Sequence, residues 1–322
     1  MRQYVLHRIL LNIPVILIVV TLVFFTSHIR PDFAEQRAAA GQASSQDYAA
    51  ALKTIRHELG TDKPLWRQYT NYLWDLAHID LGRSFLPPHK SVGKELVSRL
   101  PASMELGLLQ ILLAMAIAVP TGIISAIRQD TWIDYVLRIG TVLGVAVPSF
   151  YFATLLLLFT TKMMGWTPPL ITTSYHEIWQ SPIQNLKMMA LTAIAGGLAE
   201  AAVIMRLLRS ELLEVLRQDY VRTAWSKGLR ERMVVMRHAL RNGLAPVVTI
   251  LGVLIGVLFG GNVVLESMFS IPGAGQFIVI SLQQSDQPVV QGITLIVAVA
   301  LVTTNLVVDL TYAWLDPRIR YA

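Results

Sequence analysis

Residues 103–127 read SMELGLLQILLAMAIAVPTGIISAI, and Glu105 is the one charged residue among them. As a helix rising ~1.5 Å per residue, the run reaches about 37 Å, enough for a hydrocarbon core about 30 Å thick. A helix apolar on every side has no face to offer water, so it belongs in lipid or deep in protein. Runs of the same character stand at about 9–28, 136–160, 188–208, 245–265 and 291–312. The spacing therefore predicts an all-α, polytopic membrane protein of six spans in one domain over 1–322. Its outer segment is 29–102 and its inner loop 209–244. Pro120 and Pro148 fall inside spans, where kinks or breaks are expected. Arg2 and Arg8 ahead of the first run look like the start of a signal peptide, but the run is long and no small-x-small site follows it directly.

Composition agrees. Of 322 residues, 54% are hydrophobic and 15% charged, whereas a soluble domain carries roughly a quarter charged. The net charge of +6 does not point to nucleic acid, because the basic residues sit beside spans. Without cysteine there is neither a disulfide framework nor a thiolate metal site. Phosphate-loop, His-Glu-x-x-His and Gly-x-Ser-x-Gly motifs are missing, so no bond-breaking by this chain and no metal site are expected.

Basic residues set the orientation. With the N-terminus inside, the inner segments hold Arg2, Arg8, Arg128, Arg138, nine Lys/Arg from Arg206 to Arg241, and Arg318 and Arg320. The short outer loops hold Lys162 and Lys187. Both termini are thus expected in the cytoplasm. In the outer segment, DYAAALKTIRHELG (47–60) and PLWRQYTNYLWDLAHI (64–79) read as two short helices. Trp66, Tyr69, Tyr72 and Trp74 in the second suggest a docking surface at the outer mouth, or rings resting at the lipid interface.

Glu200 lies well inside the fourth span, where a carboxylate is costly. It either faces a cavity or partner, or snorkels towards Arg206 and water. Glu105, Glu266 and Asp309 lie near span ends and are expected to be solvated. The inner loop carries RTAWSKGLRERMVVMRHALRN (222–242). As one helix it would align Trp225, Leu229, Met233, Met236 and Leu240 on one face, with Ala224 and Gly228 as a small-residue notch beside it. Asn242-Gly243 would end it. A basic amphipathic helix on anionic lipid explains the charge equally, but not a glycine inside the helix, which costs roughly 1 kcal/mol against alanine.

Several segments together resemble the permease subunit of ATP-binding-cassette importers of the dipeptide, oligopeptide and nickel class, the first of the two homologous permeases. They are YVLHRILLNIPVILIVVTLVFF, ELGTDKPLWRQYTNYLWDLAHIDLGRSF, VSRLPASMEL, AVPSFYFATLLLL, YVRTAWSKGL, RHALRNGLAPVVT, GGNVVLESMFSIPGAGQ, QPVVQG and NLVVDLTYAWLDPRIRYA. The resemblance covers nearly the whole chain, with 160–187 matching poorly. It implies a transmembrane permease of the cell membrane that forms one path with a second permease. It also implies two cytoplasmic ATPase subunits, which hold the ATP and magnesium, and an extracytoplasmic binding protein. Coupling to the ATPase falls on Arg222, Thr223, Ala224, Lys227, Gly228, Leu229, Arg237 and Leu240. Trp225, Ser226, Asn262, Gln276, Gln287 and Glu200 depart from the branch's usual residues, which makes Glu200 and Asn262 candidates for the substrate path. Peptides are the expected cargo, and nickel and short oligosaccharides stay open. The rival is a stand-alone secondary transporter, which would need an internal repeat and an ion site near the midplane. No repeat is visible, and Glu200 is the one candidate.

Overall fold

A computed structural model describes residues 2–28, 52–54, 56–57, 62–166 and 175–315. Its helices are α1 Arg2–His28, α2 Leu65–Ala77, α3 Val92–Ile127, α4 Trp132–Ala146, α5 Ser149–Met163 and α6 Pro182–Val215. They continue as α7 Asp219–Ser226, α8 Glu231–Gly243, α9 Ala245–Leu258, α10 Val263–Phe269, α11 Ala274–Gln283 and α12 Gln287–Leu315. The sequence-predicted helix at 47–60 lies largely outside the described residues, as does the side chain of Asp309.

The chain is an all-α polytopic membrane protein. Three helices, α3, α6 and α12, are long and apolar enough to cross a membrane. The bent pairs α4–α5, α8–α9 and α10–α11 bring the total up to six if each is one span. The first expected span lies within α1, which runs 27 residues from Arg2 to His28.

Small residues set the packing. The most extensive pairing is α3 along α6. There a Cβ on Gly196 would come within 2.4 Å of the Gln110 side chain, and one on Gly197 within 2.9 Å of the Gln110 carbonyl. Gly252 and Gly256 of α9, and Gly260 just past its end, likewise let the chain lie against Val308, Leu301 and Val297 of α12. In lipid, where apolar burial gives helices little reason to associate, such close approach supplies the dispersion contacts that do.

Several boundaries differ from the sequence reading. The expected span 136–160 is two helices bent by 104°, because Pro148 is extended (ψ 137°) and offers no N–H to continue the ladder. Pro120 does not break α3, which runs 36 residues and absorbs 92–102 from the supposed outer loop. α6 continues to Val215, so the inner loop begins later than 209. The fifth span stops at Leu258 rather than 265. Residues 263–283 then form a hairpin, α10–α11, bent by 83°.

Glu266 builds that hairpin and is fully buried, so the expectation of a solvated end is wrong. Its Oε1 accepts the Asn262 N–H (3.0 Å), and its Oε2 accepts those of Gly275 (2.8 Å) and Gln276 (3.2 Å). Ser103 Oγ of α3 accepts from Ala274 N–H at 2.8 Å. A carboxylate surrounded by backbone donors exchanges water for an equivalent shell, which is what permits its burial. Glu105 is half-buried and accepts from the Tyr175 hydroxyl at 3.1 Å. On the same side, buried Asp286 accepts from the Ser84 hydroxyl and from Phe85 N–H (3.0 Å), fastening the 80–91 turn to the start of α12.

Candidate functional site

The basic strip is not one helix. α7 ends at Ser226, and Gly228 sits in the left-handed region (φ +73°) just past the Lys227 cap. Its N–H donates to the Trp225 carbonyl at 2.9 Å. Glycine pays no Cβ penalty there, so Gly228 is a helix stop and not a notch within a helix. The chain then restarts as α8, with a π-helical stretch over Val234–Ala239, and passes Asn242-Gly243 into α9 with a 50° bend. The helix ends at Gly243 as expected, and the Asn242 amide donates to the Tyr220 hydroxyl at 2.7 Å, tying α8 to α7.

The expected apolar face is also redistributed. Trp225, Met233 and Met236 are exposed. Val221, Ala224 and Val234 are buried together, with Val215, Leu216 and Leu229 packed around them. Ala224 is therefore a root of α7 and offers no notch to a partner. Leu240 is buried against the α6 residues Leu208 and Leu212. What faces outward is Arg222, Thr223, Lys227, Gly228 and, from α8, Arg237. The Arg222 guanidinium lies 3.6 Å from Asp219 Oδ1 with both side chains largely exposed, a pair that restrains it little. The result is a short helix held by three small apolar side chains and presenting cations.

Sequence reasoning missed what anchors the base of this region. Asp134, in the first turn of α4, is fully buried. It takes a two-pronged contact from Arg209 of α6, Nε to Oδ1 at 2.8 Å and Nη2 to Oδ2 at 2.7 Å. Ser125 of α3 donates to Oδ1 and accepts from Arg209 Nε at 3.0 Å, and Asp130 N–H donates to Oδ2 at 3.1 Å. One carboxylate thus joins three helices at the end nearest α7. A Thr131-x-x-Asp134 spacing marks a helix start, but nothing local in sequence pairs Asp134 with an arginine in another helix.

Glu200 lies on α6, otherwise the most enclosed of the long helices. It shares a stripe with Val203, Leu207, Ser210 and Glu214, all at least partly accessible. Its Oε2 is buried and has no hydrogen-bond partner among the described residues. Asn262, the other path candidate, spends its side chain locally: Oδ1 accepts from Leu265 N–H at 3.3 Å and caps α10. The two do not meet in a common site.

The four outer aromatics divide by role. The Tyr69 hydroxyl is 2.7 Å from the Thr21 hydroxyl of α1, and Phe24 packs on Tyr69 and Tyr72 with ring centroids 5.2 and 5.5 Å apart. The tyrosines therefore hold α2 on α1 and do not face outward; burial pushes the Tyr72 hydroxyl pKa up to about 12. Trp66 and Trp74 are 67% and 68% exposed and remain the outward rings.

Among known proteins, the family model described as binding-protein-dependent transport system inner membrane component matches residues 118–321, and its N-terminal companion matches 1–107. A putative peptide transport system permease protein of Brucella abortus (strain 2308) is 37% identical over 321 residues, covering all of both chains. The dipeptide transport system permease proteins of Alkalihalophilus pseudofirmus and Escherichia coli (strain K12) are 36% and 35% identical. Each aligns with all of this chain, and with 100% and 99% of the relative respectively.

Proposed function

The chain belongs to the family of binding-protein-dependent transport system inner membrane components, and we propose that it forms half of a peptide path through the cell membrane, with α7 as its coupling helix. The observation that carries the coupling role is the construction of α7, with Val221 and Ala224 rooted and Arg222 and Lys227 turned out. Full-length similarity to permeases of peptide and dipeptide transport systems supports the cargo. In this reading a second permease completes the path. Two cytoplasmic ATPase subunits hold ATP and magnesium and grip α7, an extracytoplasmic protein delivers the peptide, and both termini of this chain are cytoplasmic. The test is uptake of labelled dipeptide into proteoliposomes holding the assembled complex, with nickel and oligosaccharide as competing cargoes. Uptake that ignores internal ATP, or prefers another cargo, sinks the reading.

Glu200 marks the face turned to the path or to the second permease. Exposed to hydrocarbon, a charged carboxylate would cost about 2.5–3.5 kcal/mol, so an unpartnered one on an open stripe needs water, cargo or partner beside it. Glu200→Gln is expected to change uptake or cargo preference several-fold with unchanged inserted yield. A Glu200→Leu protein with higher yield and normal uptake would show that the residue faces lipid.

Trp66 and Trp74 form the outer docking pair. Trp66→Ala with Trp74→Ala should raise the concentration of binding protein needed for half-maximal uptake about 30-fold, since a tryptophan anchor at an interface contributes about 1 kcal/mol or more. An unchanged requirement would make them membrane-interface rings.

A further inference from the structure

We propose that the groove between the inner end of α3 and the start of α8 is a binding site for one anionic phospholipid. The groove holds about 320 Å³, the low end of the volume range of small-molecule sites. Its floor is Ile123, Ile124, Ile127, Val235 and Met236, and its rim carries Arg128, Arg232 and Glu231. Neither guanidinium has an ion-pair partner among the described residues, and both arginines are exposed.

Depth argues for a lipid. No charged residue stands between Glu105 and Arg128, and the 22 residues between them rise about 33 Å as helix, close to the thickness of a hydrocarbon core. Arg128 is then at the water boundary, and the isoleucines a turn deeper lie within acyl reach. A ligand filling this groove must be apolar below and anionic at the boundary. A soluble anion leaves the floor unused, and an uncharged hydrophobe leaves the arginines unused. The assignment holds whichever way the chain faces and is independent of what it transports.

The test is native mass spectrometry of the full chain in detergent with phosphatidylglycerol. Each basic residue near a bilayer surface is worth ~1 kcal/mol, or about fivefold. Retention by R128Q/R232Q is therefore expected to fall about 25-fold, while R138Q/R217Q, an equal charge change elsewhere, keeps the lipid. Glu231→Gln, which removes the opposing carboxylate from the rim, should raise retention; if the double variant does not accumulate, this substitution decides. Equal loss in both arginine pairs, no response to E231Q, or displacement by millimolar inorganic phosphate would overturn the proposal.

Discussion

Reversing two charges on α7, R222E/K227E, is expected to abolish ATP-driven uptake while leaving the chain inserted and folded. Both side chains are exposed, and among the described residues the one side-chain contact of Arg222 is a weak pair with Asp219, so the substitutions remove nothing the described fold uses. Placing like charges against a matching surface costs several kcal/mol, and at 1.4 kcal/mol per tenfold that is about 100-fold or more in ATPase association. Co-purification of the ATPase subunits and substrate-stimulated ATP turnover are the readouts. Gly228→Asp is the companion: the site is open, aspartate tolerates a left-handed backbone, and the added carboxylate has the wrong sign. Ala224→Asp cannot serve, because it would drive a charge into the cluster that roots α7 and melt the helix. Full ATPase association in R222E/K227E would place the coupling surface elsewhere.

Asp134→Ala should cost about 3–5 kcal/mol of stability, the usual penalty for leaving a buried charge without its partner. Arg209 would lose its two-pronged contact, with its own side chain only 16% exposed. The readouts are the thermal midpoint in detergent and the inserted yield. Replacing both partners by apolar residues, D134L with R209M, should recover much of the loss, since the pair's desolvation cost disappears with the pair. A single substitution within about 1 kcal/mol of the parent would mean that the contact behaves as a surface ion pair and does not hold α3, α4 and α6 together. Because these three helices meet near α7, a partial loss should also lower the ATP turnover stimulated by substrate.

The basic strip shows where pattern reading fails. Small and basic residues at 222–242 fit one continuous helix by composition alone. The glycine inside the pattern fits a notch, but glycine is equally a stop, and the choice between them turns on whether the chain reverses there. It does: α7 folds back so that Val221 and Ala224 meet Val234 of α8. A periodicity rule assumes a straight helix and cannot see that contact. The outer aromatics fail similarly, since rings at helical spacing face several ways and the position of α1 selects which pair is covered.

The class of the protein, its helical membrane character and its family were legible because they rest on properties that add along the chain: run length, hydropathy, the placement of Lys and Arg, and ordered motifs. Glu200 was legible as an anomaly for the same reason, a charge where the local pattern forbids one. The burial of Glu266, the break of the third span, the Asp134–Arg209–Ser125 junction and the inward turn of Ala224 depended on which distant segments approach. Residues 125, 134 and 209 meet where Gly122 of α3 and Gly144 of α4 lie close against Leu208 and Ala202 of α6. Such contacts join residues tens of positions apart, and their energy comes from geometry and desolvation that no local window contains.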